Sequence, residues 1–337
     1  MNYIMTPLQG YRDSAVIKPK EDVAYYLQQA GFIAISYPRQ AHNFTNWQSM
    51  LAGTVATVQP DDNVIYQTPT WAGMDIENEV VRLLKQRGAN VIAFVHDIEY
   101  VRFPDRFQKN GQIDYYNQFT GLIVATEPQR QRLMADGVRV PIIVSGPWSY
   151  LQERPLVAPS YSQRVHYAGN LVSWKSGFLS RLGADTRIEV YGSNNMEHDL
   201  GYSLGAGVNY HGSLTQVELT ERLSNGFGLI WDEDDHGHYN DYALTNMPHK
   251  FSLYLSLGMP IIGKRGSVVG QLIERFTLGW VLDDISALAE LVAGIDQYSY
   301  DRHVAQSMQA GRLVRSGRYT QLAALKAIMA IDQVSPF

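Results

Sequence analysis

Residues 246–262 read NMPHKFSLYLSLGMPII. This pattern predicts a loop, a helix that begins near Pro248, a glycine cap at Gly258 and a buried strand over Pro260–Ile262. Proline suits the first helical turn, where its missing N–H is not needed. A helix followed at once by an apolar strand is the repeating unit of parallel α/β sheets, so this stretch indicates an α/β protein.

The first half of the chain repeats this unit. Short apolar, β-branched runs predict strands over Tyr3–Thr6, Phe32–Ser36, Val64–Gln67, Val91–Val95, Gly121–Ala125 and Pro141–Ser145. Helical patterns that end at a glycine lie at Glu21–Ala30, Ile76–Arg87 and Pro128–Asp136. Apolar strands separated by capped helices indicate a parallel sheet covered on both faces.

The second half resumes the pattern after residues 147–162, which show no periodicity and are predicted to form a linker. Strands are predicted over Val165–Tyr167, Arg187–Tyr191, Val208–Tyr210, Gly228–Trp231, Pro260–Ile262 and Trp280–Leu282. Helices are predicted over Ser176–Leu182, Thr215–Ser224, His249–Leu257 and Val268–Arg275.

We therefore predict two tandem doubly wound, Rossmann-like domains that face each other across a cleft, over residues 1–150 and 163–300. Residues 301–337 are predicted to form one or two terminal helices, which could pack back on the first domain. Ligands of open α/β sheets bind outside the carboxyl ends of the strands, so each domain offers one binding edge to the cleft.

The composition is that of a globular protein and excludes several classes. The formal net charge of −5 lacks the basic field that a nucleic-acid binder needs. Cysteine is absent, which removes disulfides, thiolate nucleophiles and cysteine-based zinc sites. The N-terminus does not read as a signal peptide, and the apolar runs are far shorter than the ~20 residues that span a bilayer. We expect a cytoplasmic protein with no nucleic-acid partner and no membrane span.

The start of the helix after Asn246 is the strongest candidate for an anion site. Its N-terminus would point backbone N–H groups and the positive end of the helix dipole into the cleft, which suits a diphosphate. Lys250 opposes that dipole, so it is a poor choice for helix stability and a good one for binding phosphate. A solvated surface lysine on an ordinary helix is the alternative.

Two further loops of the second half carry candidate binding residues. Tyr210, His211 and Ser213 lie at the carboxyl end of one predicted strand and could contact a base or ribose, although Ser213 and Gln216 also have the spacing of a capping box. Gly169-Asn170 predicts a tight turn after another strand, from which Lys175 could reach a phosphate.

Several known motifs are missing or weak. No G-x-G-x-x-G fingerprint or Walker loop follows any predicted strand, which lowers the odds of a dehydrogenase or a P-loop NTPase. The acidic run Asp232–His238 favours a solvated loop over a metal site, because consecutive carboxylates cannot all point at one ion. Asp232, directly after a strand, remains a candidate to line the cleft.

In the first half, His96 and Asp97 follow a predicted strand, where a carboxylate could deprotonate a sugar hydroxyl as general base. A structural pair, with Asp97 capping the next turn, is the alternative. The loop over Gln67–Trp71 offers hydroxyls at Thr68 and Thr70 and an indole at Trp71 for an acceptor sugar. Trp71 could equally serve packing.

The order of these motifs resembles a known family. The segments that carry the likeness are Gln67–Trp71, Phe94–Asp97, Gly169-Asn170, Gly226–Trp231, Gly279-Trp280 and the stretch from Lys250 to Ile262. Together they resemble the GT-B glucosyltransferases of bacteria that add the second sugar to O-GlcNAc-modified serine-rich repeat adhesins. Related β-1,6-galactofuranosyltransferases of cell-surface polysaccharide synthesis are similar. The likeness runs from about Tyr3 to about Leu325.

The resemblance implies a metal-independent GT-B enzyme, of a family that is often oligomeric, that uses a UDP-sugar and no further cofactor. It implies a nucleotide-sugar site in the second domain, with Lys250 on the donor diphosphate. Lys175 falls near a basic donor-site position and Tyr210 near a uridine-contacting one. The loop over Asn246, Pro248 and His249 matches the segment before the family lysine, with different side chains.

Retaining GT-B enzymes place two glutamates where this chain has Thr245 and Leu253, so the departure favours inversion. Inversion needs a base, for which Asp97 is the candidate, with His96 orienting it or contacting the sugar. The prediction is a hexosyltransferase, with glucose as the first candidate, acting on a sugar of a glycoprotein or surface glycan bound by the first domain. A galactofuranosyl- or galactosyltransferase of exopolysaccharide synthesis, and a non-catalytic partner of another transferase, are the alternatives.

Overall fold

The computed structural model describes residues 1–8, 17–194, 200–233 and 238–331, and of 238 and 239 the backbone alone. The chain divides into two compact units. The first comprises the described residues of Met1–Ser149 and of Gly317–Phe337, and the second those of Tyr150–Ser316.

A parallel sheet of six strands forms the first unit. Its strands are β1 (Asn2–Leu8), β2 (Ile33–Pro38), β3 (Asn63–Thr68), β4 (Asn90–Val95), β5 (Gly121–Val124) and β6 (Ile142–Val144). They lie in the order β2-β1-β3-β4-β5-β6. The direction of winding reverses between β1 and β3, and such a switch point, at the carboxyl ends of the strands, is where open α/β sheets bind ligands.

Helices cover both faces of this sheet and bury its central strands. They are α1 (Ile17–Gln29), α2 (Trp47–Thr54), α3 (Met74–Gln86), α4 (Glu99–Arg102), α5 (Lys109–Tyr116) and α6 (Glu127–Asp136). The central strands β3, β4 and β5 are almost wholly buried. Their side chains therefore form the core on both sides of the sheet, as the uninterrupted apolar runs predict.

The second unit is built on another parallel sheet of six strands. The strands are β7 (Ser160–Asn170), β8 (Ile188–Ser193), β9 (Val208–Tyr210), β10 (Asn225–Ile230), β11 (Ile261–Lys264) and β12 (Gly279–Leu282). Their order is β12-β11-β10-β7-β8-β9. Counted from β7, this is the 3-2-1-4-5-6 order of dinucleotide-binding folds, with its switch point between β7 and β10.

The helices of the second unit are α7 (Ser173–Ser176), α8 (Gln216–Arg222), α9 (His238–Thr245), α10 (His249–Ser256), α11 (Val268–Phe276), α12 (Leu288–Gly294) and α13 (Gln297–Arg315). The last helix, α14 (Arg318–Ile331), belongs to the first unit, where it packs on β5 and β6 and on α1. The two terminal helices thus divide between the units.

All twelve predicted strands are confirmed, and the differences lie in the connections. β7 begins at Ser160, inside the stretch predicted as a linker. The helix predicted over Ser176–Leu182 is instead the short α7 followed by a 3₁₀ helix over Gly177–Arg181.

The capping box predicted from Ser213 and Gln216 is wrong. The helix α8 is capped by Thr215, whose hydroxyl accepts a hydrogen bond from the N–H of Glu218 at 3.3 Å. The Glu218 carboxylate accepts in return from the N–H of Thr215 at 2.9 Å. The reciprocal pair satisfies two N–H groups at the start of the helix, and the same spacing simply applies two residues later than predicted.

Gly228 and Tyr254 fix α10 against the sheet. A Cβ atom at Gly228 would lie 2.4 Å from the ring of Tyr254, so only glycine leaves room for it. The buried Tyr254 hydroxyl accepts from the Ala168 N–H at 3.1 Å and donates to the His166 carbonyl at 3.0 Å. The ring and its two hydrogen bonds therefore tie α10 to both β10 and β7.

We expect Gly228→Ala to lower the free energy of unfolding by about 1–3 kcal/mol, because the added methyl group overpacks the core against Tyr254. Thermal and urea denaturation measure the change. Gly294→Ala is the matched control, because a Cβ at that helical position meets no atom within 4 Å. That variant should be neutral or slightly more stable. Equal stability of the two variants would show that Tyr254 does not fix α10.

Candidate functional site

Three charged side chains meet at the switch point of the second sheet. Asp232 follows β10, Lys175 lies in α7 after β7, and Lys250 lies in the first turn of α10. Lys250 Nζ is 3.0 Å from Asp232 Oδ1, and Lys175 Nζ is 3.8 Å from Asp232 Oδ2. The three side chains are 8% (Lys250), 9% (Asp232) and 15% (Lys175) exposed. One buried carboxylate therefore holds two lysines, which leaves this lysine cluster one net positive charge.

Tyr167 on β7 completes the cluster. Its hydroxyl donates to Asp232 Oδ1 at 3.2 Å, and Lys250 Nζ lies 4.4 Å from the centroid of its ring. The ring face attracts the ammonium group and helps to hold it after burial has removed its water. Lys250 is thus held by a carboxylate and by an aromatic ring.

Burial and charge act in opposite directions on these groups. Burial lowers the pKa of Lys250 to about 8, although Asp232 favours its charged form. Burial by itself would raise the pKa of Asp232, but Lys175 and Lys250 outweigh it and hold that pKa below its usual range. The carboxylate is therefore ionised near neutral pH, and Lys250 loses its proton more readily than an ordinary lysine.

The backbone around Lys175 is fixed to the loop that carries Asp232. The Glu233 N–H donates to the Lys175 carbonyl at 3.0 Å. The Glu233 carboxylate accepts from the Trp231 indole N–H at 2.9 Å and pairs with Arg181 at 3.0 Å. These contacts hold the ends of β7 and β10 together, so that both lysines converge on Asp232.

The predicted residues before Lys250 lie at the same edge. Asn246 and Pro248 line a small pocket together with Asp232, Lys264 and Ser267. Pro248 is the N-cap residue of α10, in extended conformation, and the helix begins at His249. Because the first amides of a helix have no partner within it, this pocket lies beside N–H groups that suit an anion.

The His249 ring packs on Tyr150, with 4.8 Å between the two ring centroids. Tyr210 and Ser213 lie farther along the sheet, on the outer strand β9 and its following loop. The Tyr210 hydroxyl donates to the Gly192 carbonyl at 2.9 Å, and Ser213 is exposed. Three strand spacings, about 14 Å, separate β9 from β10. These residues therefore form a second part of the edge, apart from the lysine cluster.

In the first unit Asp97 lies just beyond β4. Its Oδ2 is 3.0 Å from an Arg102 guanidinium nitrogen, and its side chain is 28% exposed. The same nitrogen is 3.6 Å from Glu99 Oε1. The ion pair with Arg102 fixes the position of the Asp97 carboxylate, which remains partly exposed to solvent.

Glu99 lies beneath this pair and is only 1% exposed. Burial, reinforced by the charge of Asp97, raises the pKa of Glu99 to about 8. At neutral pH Glu99 is therefore mostly protonated, and Arg102 forms its ion pair with Asp97.

The loop after β3 places the predicted residues Thr68 and Trp71 differently. Thr68 is buried, and its hydroxyl donates to Glu77 at 2.7 Å. Glu77 also accepts from Thr70, through both N–H and hydroxyl, and from Tyr115. Trp71 is 39% exposed, with its carbonyl accepting from Arg39. Thr68 is thus committed to holding the loop, and Trp71 presents its indole at the surface.

His96 is a buried part of this framework. Its Nε2 forms a 2.9 Å hydrogen bond with Gln67 Oε1, and its ring stacks on Trp148 with centroids 5.0 Å apart. The His96 N–H donates to the Thr68 carbonyl at 2.8 Å. The ring therefore fixes the chain that leads from β4 to Asp97.

Residues 234–237 of the acidic run, and the side chain of His238, lie outside the described residues. In the described part of the chain, no three acidic or histidine side chains come together as a metal site would require. No described helix has both the length and the apolar character to cross a membrane.

The sequence pattern missed Glu77, Arg102 and the central place of Asp232. Glu77 had a visible signal, since it lies with Val80, Val81 and Leu84 on the buried stripe of α3. A charged residue on an apolar stripe indicates a buried charge with partners. Arg102 had no visible signal in the sequence, because it lies on a short helix, α4, that the pattern did not predict.

Comparison with known proteins agrees with this architecture. The family model for the N-terminal domain of Glucosyltransferase 3-like proteins matches residues 1–147, and the model for the C-terminal domain matches residues 165–327. Glucosyltransferase 3 of Streptococcus gordonii is 27% identical over 98% of this chain and 99% of its own length. The β-1,6-galactofuranosyltransferase WbbI of Escherichia coli K12 is 28% identical over 46% of each chain.

Among solved structures, HepE of Anabaena in complex with UDP-glucose superimposes with a TM-score of 0.65, over 98% of this chain and 100% of that one, at 11% identity. At this identity the likeness concerns the fold, which is that of the GT-B glycosyltransferases. Both domain models of the family match this chain, in the order in which the two sheets follow each other. The chain therefore belongs to the Glucosyltransferase 3-like family of glycosyltransferases.

Proposed function

We propose that the chain transfers a hexose, with glucose as the first candidate, from a UDP-sugar to a sugar on a glycoprotein or surface glycan, with inversion and without a metal ion. The second unit binds the donor and the first binds the acceptor. The enzyme acts in the cytoplasm, as expected from the sequence, and as a homo-oligomer, as the family resemblance implies. The lysine cluster around Asp232 is the observation that carries the proposal.

The donor diphosphate binds at Lys250 and Lys175, beside the first turn of α10. Charge develops on the leaving diphosphate in the transition state, and fixed cations in a dry site stabilise it strongly. Two lysines and the positive end of a helix supply the charge that a metal ion provides in other transferases. Asp232 holds both ammonium groups in place and neutralises only one of them.

The remaining donor contacts extend to either side of the diphosphate. Tyr210 and Ser213, on the outer part of the sheet edge, contact the nucleoside. Asn246, Pro248 and His249 lie beside the hexose. The pocket shared by Asp232, Asn246 and Pro248 supports this division, because it adjoins the lysine cluster on the side away from β9.

Inversion is supported by the residues at the two positions where retaining enzymes carry glutamates. Leu253 is buried and apolar, and the Thr245 hydroxyl is bonded to backbone carbonyls of α9. Neither side chain supplies a carboxylate to the reacting face. Asp97 then deprotonates the acceptor hydroxyl, Arg102 holds its carboxylate, and His96 fixes the backbone on which it stands.

Trp71 contributes the apolar surface on which an acceptor sugar ring stacks. Thr68 acts through Glu77 by holding the Trp71 loop and does not reach the sugar. A galactofuranosyl donor is the second candidate, because the match to WbbI covers nearly half of the chain. A donor screen with UDP-glucose, UDP-galactose and UDP-galactofuranose separates the two.

We expect Lys250→Met to weaken UDP binding by roughly tenfold to a hundredfold, since a charge-assisted hydrogen bond to phosphate is lost. Isothermal titration measures it. Arg312→Met, which removes an exposed cation of the same unit, is the control and should bind UDP normally. Normal UDP binding by Lys250→Met would exclude the lysine cluster from the donor site.

The affinity of the unmodified enzyme for UDP should also fall as the pH rises through about 8, where Lys250 loses its charge.

Asp97→Asn should lower kcat by about 10²–10⁴-fold, because the amide cannot accept the proton of the acceptor hydroxyl. UDP binding should be unchanged. Asp114→Asn, an exposed aspartate of the same unit, should transfer sugar at the normal rate. Mass spectrometry of the glycosylated acceptor measures the rate. A fully active Asp97→Asn enzyme would exclude Asp97 as the base.

A further inference from the structure

A buried lysine of the first unit has no role in the site as described so far. Lys20 lies in the first turns of α1 and is only 3% exposed. It shares the buried stripe of that helix with Val23, Ala24 and Leu27, at the i, i+3, i+4 and i+7 positions that normally carry apolar residues. An apolar residue would suit this position better for stability, so the charge calls for a separate explanation.

The backbone at Lys20 is fixed to the carboxyl ends of the strands. The Lys20 carbonyl accepts a hydrogen bond from Gln67 Nε2 at 3.1 Å, and the other end of the same amide bonds His96 at 2.9 Å. Gln67 stands on β3, and His96 leads from β4 to Asp97. Lys20 is therefore part of the switch point between β1 and β3, where a ligand of this sheet would bind.

The ammonium group of Lys20 is surrounded by charges without pairing with any of them. It forms neither a hydrogen bond nor an ion pair with another described residue. The carboxyl groups of Asp97, Glu77 and Glu99 attract it, while Arg102 repels it. Lys18, two residues earlier, is different, because it pairs with Asp22 on the same helix. The Lys20 side chain is buried, and its ammonium group has three N–H donors that can serve a bound molecule.

We propose that Lys20 binds the acceptor: its ammonium group donates to an oxygen next to the hydroxyl that Asp97 deprotonates. The inference rests on the proposed function, in which Asp97 is the base and the first unit holds the acceptor. It requires an acceptor with a second oxygen beside the attacking one, as on a pyranose ring with vicinal substituents. The two contacts would hold the attacking hydroxyl toward Asp97.

The charges around the site also select the class of acceptor. Two cations, Lys20 and Arg102, face the carboxyl groups of Glu77, Asp97 and Glu99. The three carboxyl groups outnumber the two cations, so the site has no excess of basic groups with which to hold an anionic ligand. It suits an uncharged sugar rather than an anionic one such as a uronate.

The test is Lys20→Met, which keeps the volume and removes the charge. We expect kcat/KM for the acceptor to fall about tenfold to a hundredfold, with UDP affinity unchanged. The thermal midpoint should stay or rise, because an unpaired buried charge is removed. Lys18→Met is the matched control. It breaks an ion pair, so it should lower the thermal midpoint and leave the acceptor KM unchanged.

Acceptors for this test are the p-nitrophenyl β-glycosides of glucose, galactose, N-acetylglucosamine and glucuronic acid. The neutral glycosides should be used in preference to the glucuronide. Unchanged acceptor kinetics in Lys20→Met, or a lower midpoint with UDP binding lost as well, would overturn the inference. Saturation-transfer NMR measures glycoside binding directly. If the unmodified protein transfers no sugar, the proposed function fails. The role of Lys20 is then tested separately, by whether Lys20→Met weakens glycoside binding in the NMR measurement.

Discussion

The structure of the second unit depends on one buried carboxylate that holds two lysines. Burying three charges is costly, and an apolar cluster of the same volume would serve stability as well or better. Asp232 keeps Lys175 and Lys250 in place but leaves a net positive charge, so the cluster is held ready for an anion. The ties of α10 to β7 and β10 through Tyr254 set where Lys250 can reach.

The first unit also gathers buried charges near its own switch point. Asp97 is held by Arg102, the end of β3 and its loop are held by three hydrogen bonds from Thr68 and Thr70 to Glu77, and Lys20 is buried at the same edge of the sheet. In both sheets the strand order reverses at the place where buried charges gather. Sheet topology therefore selects the site, and the cost of burying charge is met by the packed helices around it.

The strands could be predicted from the sequence because continuous apolar runs suit only strands buried on both faces. Lys250 could be named because a cation in the first turn of a helix opposes the helix dipole, and Lys175 because it follows the turn predicted at Gly169-Asn170. Their convergence on Asp232 could not, since it depends on the order of β7 and β10 in the sheet. Thr68 was expected to contact the acceptor, but its hydroxyl donates to Glu77, a residue on the buried stripe of the next helix, α3. Lys20 showed the same signal of a charge on an apolar stripe.

The most direct measurement of the central claim is a crystal structure of the protein with UDP. The account predicts diphosphate oxygens within about 3 Å of Lys250 Nζ and Lys175 Nζ, at the first turn of α10. It also predicts that Asp232 stays beside both lysines as their counter-ion. A UDP molecule bound elsewhere, with the lysine cluster unchanged and closed to it, would contradict the account.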